Sequence, residues 1–205
     1  MTNFDLEKLV DTSDEWISTR TGIKERRIAE ESCSSMGIQA AKAALARAKM
    51  DVQEIDLILA MTMTPDYSCP STAALIQEGL GAREVGAMDV QAACSGYVYG
   101  LSIAKAYVES GMAKNVLVVV PEKMSAVTNF SDRNTCVIFG DGAAACIVGE
   151  ASHGLTILSS SIGADGSAAD LFMIPAGGST NPASHDTINE KKHFVTMKGK
   201  ELFKA

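Results

Sequence analysis

Five cysteines are the side chains of this 205-residue chain best suited to covalent chemistry, and the surroundings of one set it apart. Cys94 lies in Ala92-Ala93-Cys94-Ser95-Gly96. Before it, Gly86-Ala87-Met88-Asp89-Val90 reads as a short buried strand. After it, Tyr97, Leu101, Ala104 and Val108 recur at helical spacing up to a Ser110-Gly111 stop. A thiol at a helix N-terminus faces unpaired backbone N–H groups and the positive end of the macrodipole, and both favour thiolate. Its small neighbours leave room for a substrate, which is how a nucleophile is presented. The competing reading is core filler, because free cysteine is among the most buried residue types. Cys136 and Cys146 lie in strand-like apolar runs, Cys33 in a Ser-rich loop, and Cys69 just before Pro70 at a helix start. No Cys-x-x-Cys pair and no His cluster occurs, which argues against a zinc site. The odd cysteine count without a secretory signal fits a reducing, cytoplasmic setting.

The elements that position Cys94 alternate between helix and strand. Thr12-Ser13-Asp14-Glu15 has the form of a capping box opening a short helix that carries Trp16 and Ile17. Ile38, Ala41, Leu45 and Ala48 make an apolar stripe on a helix starting near Ser34. A strand from Ile55 to Met63 follows, then a helix from Pro70 to Leu80-Gly81. After the Cys94 segment comes a near-continuous aliphatic strand, Asn115 to Val120, and later a strand from Ala144 to Val148. Such runs separated by single helices imply a parallel sheet covered on both faces. Leu155 to Ile162 reads as another strand, and Gly163 to Ser184 as mostly loop. Phe194 to Met197 reads as a last short strand and Lys200 to Ala205 as the start of a helix. The division expected is residues 1–162 as one layered unit and 163–205 as a loop-rich excursion.

Several chemistries are excluded. There is no G-x-G-x-x-G, no phosphate-binding G-x-x-x-x-G-K-[ST] and no G-x-S-x-G elbow. Gly140-Asp141-Gly142 fits either an anion cradle or a tight turn that only glycine allows. A net charge of −7 speaks against nucleic acid as the partner. No apolar run approaches the roughly 20 residues that span a bilayer, so a soluble protein without a membrane partner is expected. Arg20, Lys24, Arg26 and Arg27 form the one basic island, either a solvated surface or a docking point for a phosphorylated ligand.

Asp11-Thr12-Ser13-Asp14-Glu15-Trp16-Ile17, Thr19-Arg20-Thr21-Gly22-Ile23, the Cys94 segment, Asp132-Arg133-Asn134-Thr135 and Phe139-Gly140-Asp141-Gly142-Ala143 occur in this order. In their order and spacing they resemble the β-ketoacyl-acyl-carrier-protein synthase III family of the thiolase superfamily. The resemblance implies an α/β fold, a thiolase-like layered α-β-α half with a mostly parallel sheet. It implies an acyltransferase that starts type II fatty-acid synthesis by a decarboxylating Claisen condensation. Cys94 matches the nucleophile, which takes an acyl group, usually acetyl, from acyl-coenzyme A before malonyl-acyl carrier protein condenses with it. Acyl carrier protein and a second subunit are the implied partners, and no cofactor is held permanently. Trp16 and Arg133 match the pair that sandwiches the coenzyme A adenine, with Arg20, Thr21 and Thr12 as further nucleotide contacts. Otherwise Trp16 reads as a core anchor. Cys69 falls where the family places a pocket residue, often aromatic, that one subunit inserts beside its partner's acyl site.

The departures also carry expectations. The family's enolate-stabilising His and Asn belong to a C-terminal half beyond Ala205, and His153, His185 and His193 match nothing catalytic. The family usually opens with a strand ahead of the segment matching Thr2-Asn3, and the superfamily places that strand centrally in its sheet. Its absence predicts unpaired edges within the core and a chain inactive on its own. The alternatives are a non-catalytic acyl- or partner-binding module, or another condensing enzyme of the superfamily.

Overall fold

The computed structural model describes residues 1–150 and 154–204, so His153 and Ala205 lie outside the described residues. In chain order the elements are α1 (Asn3–Leu6), α2 (Asp14–Thr21), α3 (Cys33–Ala48), β1 (Leu57–Met61), α4 (Thr72–Leu80), β2 (Gly86–Val90) and α5 (Gly96–Glu109). They continue with β3 (Asn115–Lys123), α6 (Arg133–Cys136), β4 (Asp141–Gly149), β5 (Phe172–Met173), α7 (His185–Asn189), β6 (Thr196–Met197) and α8 (Gly199–Leu202). They gather into two compact units, each built from separate stretches of chain. One comprises residues 1–29, 123–141 and 164–205, the other 30–122 and 142–163.

The second unit holds the sheet, in the order β2-β1-β3-β4. β1 runs parallel to both β2 and β3, as the helix-separated aliphatic runs require. Successive strand residues point to opposite faces, so a strand buried on both sides is apolar throughout. Ile58, Ala60, Leu117 and Val119 pack with Ala41 and Leu45 of α3 and Ala73 and Ile76 of α4. Leu57, Leu59, Met61, Val116 and Val118 pack on the other face with Ala104 of α5. Each fully buried aliphatic side chain contributes about 1.5–3 kcal/mol, which makes this sheet the anchor of everything the unit positions.

The sequence expectations are corrected at several points. No gap opens in the sheet: Leu57–Ala60 pair directly with Val116–Val119. β2 is an edge strand, half-buried and exposed rather than buried, because it has a neighbour on one side only. β1 starts at Leu57, since Val52–Glu54 form a 3-10 turn capped by Asp51. Pro70 precedes the helix instead of opening it; Ser71 is the cap, and the Asp89 carboxylate of β2 accepts from the N–H groups of Thr72 and Ala73 at 2.7 Å each. The cap of α2 is Ser13, which accepts from Trp16 N, so Thr12 and Glu15 form no capping box. Among the described residues Leu155 to Ile162 form no strand; Leu155 and Leu158 point into solvent, and the segment is tied to α5 by Tyr99 Oη donating to Gly163 O at 2.8 Å.

In the first unit β5 and β6 form a two-residue antiparallel ladder, so the expected strand at Phe194 begins only at Thr196. Neither glycine around Asp141 sits in a turn that needs positive φ. Gly140 is required by close approach, because a Cβ there would sit 2.9 Å from Arg26 Cβ and 3.1 Å from Arg27 O. Asp141 staples three stretches of backbone: its carboxylate accepts from Ala29 N at 2.8 Å, Ser125 N at 2.7 Å and Ser125 Oγ at 2.6 Å, while its own N–H donates to Arg27 O. Removing an acceptor strands these donors, so Asp141→Ala is expected to lower unfolding free energy by about 2–4 kcal/mol in urea melts. Asp141→Asn, which keeps one carbonyl acceptor, should lose less.

Candidate active site

The Cys94 turn belongs to the second unit. β2 ends at Val90, a 3-10 turn spans Ala93–Ser95, and α5 begins at Gly96. Cys94 therefore sits in the turn that feeds the helix rather than in the helix's first turn. No side chain caps α5 at Ser95. Ala93 holds φ 45, a left-handed conformation that costs a residue with a Cβ roughly 1–2 kcal/mol. Such strain persists only where the surroundings over-determine the backbone. Here the surroundings are two glycines on one face of α5. A Cβ on Gly96 would meet Met61 Cβ at 3.2 Å, and one on Gly100 would meet Val118 Cγ1 at 2.8 Å and Met61 Cγ at 3.1 Å. The helix start is pressed onto the last residue of β1, so the exposed Cys94 emerges at the carboxyl end of the parallel strands. Ligands of open α/β sheets bind at that end.

The remaining thiols are placed differently. Cys33 is the first residue of α3, not a loop residue, and is buried with Sγ 3.5 Å from Thr62 Oγ1 and 3.4 Å from Pro121 O. Cys136 lies on α6 rather than a strand and is fully buried. Cys146 is half-buried on β4. Burial pushes the pKa of all three upward. Cys69 is exposed in the segment before α4. That segment is held by carboxylates: Glu122 accepts from Thr62 Oγ1 at 2.7 Å and Thr64 Oγ1 at 2.6 Å, and Asp66 from Ser34 N at 2.8 Å.

The first unit brings Trp16, Arg20 and Arg133 together. The guanidinium carbons lie 4.6 Å (Arg20) and 4.2 Å (Arg133) from the Trp16 ring centroid. Trp16 is also half-buried against the cluster of Leu6, Ile17, Cys136 and Val137, so stacking surface and core contact coexist in one side chain. Thr21 is exposed on α2, its Oγ1 donating to Ile17 O at 2.7 Å, and Thr12 Oγ1 is buried without a partner. The basic island does not act as one group. Arg26 is buried and donates to Asn3 Oδ1 at 2.9 Å and Val137 O at 3.0 Å, desolvation lowering its pKa. Arg27 pairs with Glu25, and Lys24 is exposed.

Comparison with known proteins gives one family throughout. The family model for 3-oxoacyl-[acyl-carrier-protein] synthase III matches residues 88–166, which include Cys94 and Arg133. β-Ketoacyl-[acyl-carrier-protein] synthase III of Chlamydia trachomatis serovar D is 58% identical over 207 residues, covering 100% of this chain and 63% of that protein. Its counterpart from Caldanaerobacter subterraneus subsp. tengcongensis is 52% identical, with 100% and 62% covered. The family matched, by model and by relatives alike, is β-ketoacyl-acyl-carrier-protein synthase III. The crystal structure of the synthase III from Aquifex aeolicus VF5 superposes on it with TM-score 0.87 at 49% identity, covering 100% of this chain and 62% of that one. The Thermus thermophilus enzyme gives 0.87 at 38% identity, covering 100% and 63%. The layered α/β arrangement is thus the family's thiolase-like fold, and the chain spans about three-fifths of the length of these relatives.

Ala93, Gly96, Gly100 and Glu122 were not singled out as functional in the sequence. A glycine four residues after another, behind a cysteine, is the one signal that pointed to a helix face pressed on a neighbour. Among the described residues no group of three or more His, Cys, Asp or Glu could hold a metal, and no helix is long and apolar enough to cross a membrane. Burial and raised pKa together protect a thiol. Brief alkylation at neutral pH, read by peptide mass mapping, should therefore modify Cys94 and Cys69 and spare Cys33, Cys136 and Cys146. Labelling of Cys136 as fast as Cys94 would contradict this placement.

Proposed function

We propose that this chain carries the acylation half of a β-ketoacyl-acyl-carrier-protein synthase III, with Cys94 as the acyl acceptor. The observation that carries the reading is the exposed thiol on a strained turn at the carboxyl end of β1, inside the segment matched by the family model. In this reading the sulfur of Cys94 attacks the thioester carbonyl of an acyl-coenzyme A, acetyl-coenzyme A first among them. The new C–S bond replaces the old one, and the proton that Cys94 gives up ends on the departing coenzyme A thiol. A thiolate is nucleophilic enough to attack a thioester without a general base beside it. The backbone N–H of Cys94 itself is suited to serve as one oxyanion donor. Malonyl-acyl carrier protein then loses carbon dioxide, and the resulting carbanion attacks the acyl carbonyl, freeing the Cys94 thiolate and forming the β-ketoacyl product.

Trp16, Arg20 and Arg133 are the proposed contacts of the coenzyme A nucleotide. An indole offers a stacking face and the two guanidiniums offer donors for phosphate. Thr21 is an exposed residue of the same helix whose hydroxyl is bonded to Ile17 O, and Thr12 has a buried hydroxyl without a partner. Cys69 is proposed to line the acyl pocket, where its small size admits chains longer than acetyl. Acyl carrier protein as delivery partner, a homodimer and a cytoplasmic setting belong to the same reading.

Incubation with acetyl-coenzyme A followed by peptide mass spectrometry tests it. One acetyl group is expected on the Cys94 peptide, and Cys94→Ala should abolish it. Acetylation spread over the other thiols, or unchanged in Cys94→Ala, would overturn the assignment.

A further inference from the structure

Two guanidiniums lie over the Trp16 ring, Arg20 at 4.6 Å and Arg133 at 4.2 Å from its centroid. Stacked carbon atoms sit about 3.5–4.0 Å apart, so a flat ring held between Trp16 and a guanidinium needs roughly 7–8 Å between them. Arg133 lies 4.2 Å from the ring centroid, about half that span. Among the described residues no hydrogen bond or ion pair fixes the Arg133 side chain there. Its Nε is buried without a hydrogen-bond partner. The neighbouring Asp132 carboxylate is committed to Asn134 N, Asn134 Nδ2 and Thr135 Oγ1, at 3.0, 3.0 and 3.2 Å. Among the described residues Arg133 forms no ion pair, so the guanidinium is held by its contact with the indole and keeps an unused donor.

We propose that Arg133 is a self-stacked clasp. In the free protein it caps Trp16, and a flat heteroaromatic ligand binds by prising it off the indole and taking its place beneath it. This rests on the nucleotide reading of the Trp16 site and adds that binding there is an exchange, not an occupation of open space. Counting contacts gives the consequence. In the wild type, entry of a base breaks one contact (Arg133 on Trp16) and makes two (base on Trp16, Arg133 on base). In Arg133→Ala it breaks none and makes one. The net gain is the same, so a neutral base should bind both proteins alike. A ligand carrying phosphates should still lose the guanidinium's charge.

Trp16 is the only tryptophan of the chain and reports directly. The full chain, wild type and Arg133→Ala, is titrated with adenosine and with coenzyme A by tryptophan emission, with calorimetry as a second readout and acrylamide quenching of each free protein. Arg133→Met, which keeps a long unbranched side chain, serves as a second variant, and thermal melts check that each is folded. The clasp predicts stronger acrylamide quenching in free Arg133→Ala and adenosine affinity within twofold of wild type. It predicts coenzyme A affinity reduced roughly 5–30-fold. Unchanged quenching in the ligand-free variant would overturn it. So would a parallel 5–30-fold loss for adenosine, which would make Arg133 an open wall of the site and leave the nucleotide reading standing. Coenzyme A binding to neither protein, by emission or calorimetry, would overturn the clasp and the nucleotide reading together.

Discussion

A helix cannot approach a sheet closely where side chains intervene, and the placement of Cys94 depends on removing them. Gly96 and Gly100 stand one turn apart on α5, and the room they leave is filled by Met61 and Val118. The chain leaving β2 must then turn within a few residues, and Ala93 absorbs that turn in a left-handed conformation. The strain is small beside the burial of β1 and of Val116–Val119 in β3, which hold their side chains at essentially zero exposure on both faces. Sheet packing therefore dictates the backbone, and the backbone dictates where the sulfur emerges.

The first unit follows the same logic with polar groups. Arg26 is inserted among Asn3, Val137 and Met1, and Asn3 in turn donates to Asp14 at 2.8 Å and to Ile23 O at 2.7 Å. This buried network orients α2 and so orients Trp16. A basic residue that reads as a ligand contact in sequence is here part of a buried frame. The groups available to a ligand are those the frame does not use, Trp16, Arg20 and Arg133, and of these Arg133 alone combines a stacked guanidinium with an unpaired buried donor.

What was legible in the sequence was local or periodic. The aliphatic runs of β1 and β3, the Cys94 turn between strand and helix, and the helix end at Gly81 follow from short-range rules and stand in the structure. The family motifs also pair Trp16 with Arg133, whose side chains meet in the structure. What was not legible depended on distant partners. Edge and centre cannot be told apart from a five-residue strand, so β2 read as buried. Leu155 to Ile162 carries a strand's composition but finds no ladder among the described residues. Arg26 looked no different from Arg27, because burial is decided by Asn3 and Val137, which are 23 and 111 residues away. Gly140 suggested a turn, whereas the reason for it is the backbone of Arg27.

The most direct measurement of the central claim is the rate at which acetyl-coenzyme A acylates Cys94 when the glycine contact is filled. Misplacing a reacting group by a fraction of an ångström slows its chemistry, so Gly96→Ala should acylate at least roughly tenfold more slowly. It should bind coenzyme A as before and recover rate when Met61→Gly removes the opposing Cβ. Wild-type acylation in Gly96→Ala would show that the close approach of α5 to β1 does not set the position of the sulfur.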